Sequence, residues 1–144
     1  MSLHGSYDAE NIFAKIMRGD IPCAKVTETD DILVIMDAFP QSEGHCLIIP
    51  KTPSRHFLDM DQADIAPLMI MVQAVGHAVV KALNPDGVMV GQFNGAPSGQ
   101  SVFHTHFHII PRYEGRTMQG HGQAPMAPMD DLKKTAAKIA AALT

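Results

Sequence analysis

Three histidines, His104, His106 and His108, occupy every second position in the run from Phe103 to Ile110 of this 144-residue chain. Side chains alternate faces along an extended strand, so residues two apart share a face. The three imidazoles therefore point one way, and Thr105, Phe107 and Ile109 point the other. A single histidine in a strand is ordinarily a satisfied core residue. Three on one face resist that explanation, because each ring needs a hydrogen-bond partner and a charge state its neighbours tolerate.

Two chemistries suit such a row. One is metal binding, and geometry weighs against it: the ends of the row are about 13–14 Å apart along a strand, so at most two rings share an ion. His45 or His56 would then supply a third ligand. The other is nucleophilic catalysis. A neutral imidazole attacks phosphorus and can leave again, splitting one substitution into two easier steps. Crowded rings disfavour multiple protonation, which keeps the attacking ring neutral. The loop just before the row, Asn94-Gly95-Ala96-Pro97-Ser98-Gly99-Gln100-Ser101, supports this second chemistry. Its two glycines permit close backbone approach, and its amides and hydroxyls could cradle a phosphate without net positive charge. It lacks the Gly-Lys-Ser/Thr ending of a nucleotide P-loop.

The elements that must position these residues follow from the apolar pattern. Asp8 to Met17 has a helical rhythm, with Asp8 or Asn11 as cap and Gly19 as stop. Cys23 to Thr29, Ile32 to Met36 and His45 to Ile49 read as short strands separated by turns. Asp61 to Leu83 is the one long helix, with Pro67 near its start. Val88 to Phe93 and Val102 to Ile110 are further strands, and Asp130 to Leu143 is a last short helix. The class is α+β: a twisted antiparallel sheet of about five strands, one long helix, a short N-terminal helix and a C-terminal helical tail. Residues 1–7 are expected to form a poorly ordered or vector-derived tail, 8–112 the domain, and 113–144 a linker and helix.

Composition narrows the function. A net charge of -4 argues against a general nucleic-acid-binding surface. No apolar run approaches the roughly 18 residues that span a bilayer, and the N-terminus lacks signal-peptide regions. Cys23 and Cys46 make neither a metal pair nor a disulfide framework, so a reducing, cytoplasmic setting is expected. His4 and His121 fall in polar segments and are expected to be solvated; His77 belongs to the long helix.

His104-Thr105-His106-Phe107-His108-Ile109-Ile110 resembles the alternating histidine signature of the histidine triad (HIT) superfamily. Gly99-Gln100-Ser101-Val102 is similar to its lead-in, Pro111-Arg112 to its continuation, and Gly19-Asp20-Ile21-Pro22, Asp37, Pro40, Gly44-His45 and Ile48-Ile49-Pro50-Lys51 to its upstream blocks. The resemblance implies a homodimer that acts on purine nucleotides (AMP-like substrate or product) as a phosphoramidase or nucleotidyl hydrolase. It implies no cofactor, and neither nucleic acid nor membrane as partner. By position, His106 would be the nucleophile, His108 would hydrogen-bond the phosphate, and His104 would orient His106. His45 would be the fourth histidine, with Ser101 and Gln100 near the scissile bond, Gly99 and Asn94 near the phosphate, and Asp37 on the ribose. A dinucleoside polyphosphate hydrolase, or a nucleotide-binding regulatory protein with vestigial catalysis, is the alternative. Two departures stand out: Thr105 sits at a hydrophobic signature position, and Asn11 and Ala14 replace a Cys-x-x-Cys pair that helps bind zinc in many bacterial members. No metal is therefore expected, and His56 is left without those partners. The tail after Arg112 departs from the short aromatic ending of Hint-type members, which leaves the leaving group open.

Overall fold

The computed structural model describes residues 2–117 and 119–143. Strands β1 (Lys25–Glu28), β2 (Ile32–Met36), β3 (Cys46–Pro50), β4 (Gly87–Gly91) and β5 (Phe107–Arg112) form one sheet. Its order is β1-β2-β3-β5-β4, and every pair is antiparallel. The α+β expectation holds.

β2 and β3 are buried along their whole length because both faces of the sheet are covered. Alternation sends Ile32, Val34, Met36, Cys46 and Ile48 to one side, and Leu33, Ile35, Leu47 and Ile49 to the other. The first side packs on the long helix α2 (Gln62–Leu83) and the C-terminal helix α3 (Met129–Ala142). The second packs on the short helix α1 (Ile12–Met17) through Phe13. Asn11 caps α1, its side chain accepting from the Ala14 N–H. Asp61 caps α2 in the same manner, and Asn84 ends it in a left-handed conformation.

α2 is long and apolar enough to cross a membrane by length and composition, with a mean hydropathy of 1.6. Pro67, Gln73 and His77 break its apolar run, which is why counting consecutive residues missed it. Leu68, Val72, Val75, Ala78 and Val79 bury one face of it. Leu132, Ala136 and Ile139 of α3 belong to that same core, so the C-terminal helix packs on the sheet domain.

The last strand departs from expectation. β5 begins at Phe107, five residues later than Val102, and runs through Pro111 to Arg112. The cause is a competing partner. The Thr105 N–H donates to the Ser54 carbonyl at 2.9 Å, and the Ser54 hydroxyl donates to Thr105 Oγ1 at 2.7 Å. Residues 102–106 thus lie outside the ladder, with Thr105 bonded to the segment after β3. These bonds also satisfy the buried hydroxyl of Thr105 at its signature position.

Candidate active site

Of the three histidines only His108 stands in the sheet, opposite Leu47 on β3. It lies on the α1 side, away from α2. The His106 and His108 rings are adjacent, with centroids 5.0 Å apart. His104 turns inward, fully buried. Its ring meets Phe13 of α1, centroids 6.4 Å apart, as the His106 ring does at 4.8 Å, and its backbone carbonyl faces His106.

Hydrogen bonds determine which nitrogen of each ring carries the proton, because a carbonyl oxygen only accepts and a backbone N–H only donates. His106 donates Nδ1–H to the His104 carbonyl at 2.7 Å. Its Nε2 is left with a lone pair and no hydrogen-bond partner among the described residues. The Gln41 N–H donates to His45 Nδ1 at 3.0 Å, so the His45 proton sits on Nε2. That Nε2–H reaches His108 Nδ1 at 2.9 Å and lies 3.4 Å from Asp37 Oδ2. His108 consequently carries its proton on Nε2, which is buried with no partner. One nucleophilic lone pair and one unsatisfied N–H thus occur on neighbouring rings, an arrangement that suits an acceptor-rich ligand.

Burial dominates the electrostatics. It pushes the His106 imidazole down to about 4, His45 to about 3 and His108 to about 2; mutual repulsion adds to each. Burial also lowers His104. Asp37 is shifted upward, mainly by burial and against the Phe39 N–H that its carboxylate accepts. The rings are neutral at physiological pH, as a nitrogen nucleophile requires.

The loop residues divide. Gly99 sits at φ 108°, a conformation that needs glycine. Ser101 is exposed, and its hydroxyl has no partner among the described residues. Gln100 was expected at the scissile bond, yet its amide faces the loop. Its Oε1 accepts from the Gly95 N–H, and its Nε2 donates to the Arg55 and Val102 carbonyls. Asn94 is likewise engaged, with Gln92 and the Phe57 N–H. These two side chains brace the loop.

Four site residues escaped sequence reasoning. Phe13 sets its edge against His106, centroids 4.8 Å apart; its helical spacing marked it only as core. Phe93 meets His108 at 5.4 Å and stacks with His121 at 4.5 Å. His121 is not merely solvated. Its Nε2–H donates to the Gly99 carbonyl at 2.6 Å, its Nδ1 pairs with the Gln41 amide at 3.3 Å, and its ring lies 5.7 Å from His108. The segment after β5 thereby bridges the loops that carry Asp37 and Gly99. Tyr7, in the segment set aside as a tail, bonds His104 Nδ1 at 2.6 Å.

The residues present do not fit the family's zinc. Positions 11 and 14 offer an amide and a methyl group, and His104 Nδ1 accepts from Tyr7. His56 Nε2 bonds the Leu3 carbonyl; its Nδ1 is an orphaned buried atom, but no thiolate stands beside it. Asp37, His45 and His108 bring ligand-capable atoms within 4.8 Å of one another. The facing nitrogens of those two histidines already bond each other, so a cation there would have to displace that bond. Cys46 is no alternative, since burial pushes its thiol up to about 12.

A neutral histidine cluster beside a glycine-bearing loop, on the sheet face opposite the long helix, defines the class: an α+β domain with a buried multi-histidine site. The HIT domain family model matches residues 18–115, and the chain belongs to the HIT family. It is 43% identical over 103 residues to adenylylsulfatase HINT3 of Arabidopsis thaliana, covering 72% of this chain and 52% of the plant protein. The chain thus spans about half the length of that relative. It is 41% identical over 101 residues to adenosine 5'-monophosphoramidase hnt1 of Schizosaccharomyces pombe, covering 70% of this chain and 73% of the yeast protein. A solved Hit-like protein involved in cell-cycle regulation from Bartonella henselae aligns with a TM-score of 0.90 at 46% identity, over 96% of this chain and 99% of that one.

Proposed function

We propose that the protein hydrolyses a purine nucleoside phosphoramidate, or a related α-phosphate substrate, through a nucleotidyl-histidine intermediate on His106. The single observation that carries this reading is the tautomer pair: a bare Nε2 on His106 beside an unpaired Nε2–H on His108. Its hydrolase-named relatives support the reaction class.

The His106 Nε2 lone pair attacks the α-phosphorus, and a P–N bond to the ring forms. The bond to the leaving nitrogen breaks, and the amine departs with a proton drawn from water. His106 then carries positive charge, and the His104 carbonyl on its Nδ1–H stabilises that charge as it develops. The His108 Nε2–H hydrogen-bonds a phosphoryl oxygen. Water next attacks phosphorus, releases the nucleoside monophosphate and a proton, and restores neutral His106. Asp37 supplies a carboxylate acceptor for ribose hydroxyls, and Gly99 and Ser101 line the approach.

The test is a rapid-quench reaction with adenosine 5'-phosphoramidate, weighed as intact protein. A one-nucleotide adduct is expected on wild type and none on His106→Ala, with turnover reduced at least about 10³-fold. Wild-type-like turnover by His106→Ala would sink the mechanism. Binding of AMP without adduct or turnover in either protein would favour a regulatory nucleotide-binding role.

We further propose a homodimer. β4 is a sheet edge with Met89 and Val90 exposed, and Ile70 and Val80 on α2 add apolar surface left uncovered in one copy.

A further inference from the structure

We propose that Tyr7 is a positioning residue for His106, acting through His104 and held in its role by Asn11. The inference rests on the nucleophilic role assigned to His106. Asn11 Nδ2 donates to Tyr7 Oη at 2.9 Å. An amide nitrogen cannot accept, so the Tyr7 proton is directed onward to His104 Nδ1, 2.6 Å away. His104 in turn donates Nε2–H to the Pro50 carbonyl at 2.6 Å. The ring is therefore pinned at both nitrogens between the N-terminal segment and the end of β3. The carbonyl of this same residue receives the His106 Nδ1–H. A chain of three directional bonds thus leads from the cap of α1 to the nucleophile, with the Pro50 bond anchoring the His104 ring from the side. Its root is firm: Asn11 also accepts from the Ala14 N–H at 3.0 Å and donates to the Asp8 carbonyl at 2.7 Å.

Loss of the Tyr7 hydroxyl would leave a buried imidazole nitrogen without its donor. The His104 ring could then turn or change tautomer, and its carbonyl would hold His106 less firmly. His106 would spend more time with its proton on Nε2, where the lone pair that attacks phosphorus is lost. The effect falls on the chemical step and not on nucleotide binding.

Two substitutions isolate the relay. Tyr7→Phe keeps the edge contact of the ring with His104, centroids 5.6 Å apart. Asn11→Asp keeps an acceptor for the Ala14 N–H but removes the donor to Tyr7, and draws the tyrosine proton away from His104. The measurements are long-range ¹H–¹⁵N spectra of the histidine rings and the single-turnover rate of adduct formation from adenosine 5'-phosphoramidate. In wild type His104 is expected as the Nε2–H tautomer and His106 as Nδ1–H. In both variants the expected results are a mixed His106 tautomer, a rate lower by about tenfold, and KM within about twofold of wild type. Unchanged ring spectra and rate in Tyr7→Phe would overturn the proposal, as would a loss confined to KM. A normal rate in Asn11→Asp would overturn the role of Asn11. If wild type forms no adduct, the reaction assigned above fails, and the ring spectra of Tyr7→Phe then decide the positioning role alone.

Discussion

Holding three histidines neutral has a consequence for the fold, open to measurement as acid lability. In the unfolded chain each imidazole takes up a proton near pH 6.5. In the folded site His106, His45 and His108 are held down to about 4, 3 and 2. Between those limits the unfolded state binds more protons, so stability falls as pH falls; above about 6.5 the loss vanishes. At pH about 5 the folded rings are still essentially neutral, so the loss depends only on the unfolded value. It amounts to about 2 kcal/mol per ring, or roughly 6 kcal/mol for the three. That is comparable to the whole stability of an ordinary domain, about 5–15 kcal/mol. His104 adds in the same direction. Asp37 opposes, because a raised carboxylate is relieved by acid. The exposed ion pairs of Glu28 with Lys25 and Lys51 hold that carboxylate at about 2; acid releases it only below about 4.5, outside the window. The assay is urea unfolding followed by far-ultraviolet circular dichroism at pH about 7.5, 6 and 5, since the chain has no tryptophan. His106→Asn, which cannot protonate, is expected to remove about 2 kcal/mol of the pH dependence. A total loss below about 2 kcal/mol, or an unchanged slope in His106→Asn, would refute the reasoning. Any fall in activity near pH 5 is then expected to track unfolding and not titration of the nucleophile.

Two further outcomes are expected. His121→Ala removes the ring that bridges Gly99 and Gln41 beside His108, where His106 is only 7% exposed. Turnover of bulky phosphoramidates relative to the unsubstituted one should rise by about threefold or more; an unchanged ratio would exclude a gating role for His121. Val90→Lys places a charge on the exposed edge strand, where Val90 is 56% exposed. Light scattering should show a dimer for wild type and a monomer for this variant; two monomers would remove the homodimer.

What was legible in the chain was what depends on local period. The β-branched apolar run of Ile32 to Met36 and the spacing of Leu68, Val72, Val75 and Val79 each predict an element, and each element forms. The histidine run does bring its rings together, but only part of it is strand. Period alone does not register that Ser54 competes for the Thr105 N–H and ends the ladder early. The bonds of Gln100 and Asn94 were hidden for a related reason: composition shows donors but not where they are spent, and both are used within the loop and its neighbours. The residues missed altogether are joined to the site by long-range bonds. Tyr7 meets His104 across 97 positions, and His121 meets Gln41 across 80. Neither segment has a repeating apolar pattern, so nothing local distinguishes them from solvated chain. Yet these two contacts hold the far sides of the same cluster, one behind His104 and one across the loops in front of His108. In the proposed reaction the triad supplies the chemistry, and segments outside its motif set which nitrogen is bare and what reaches it.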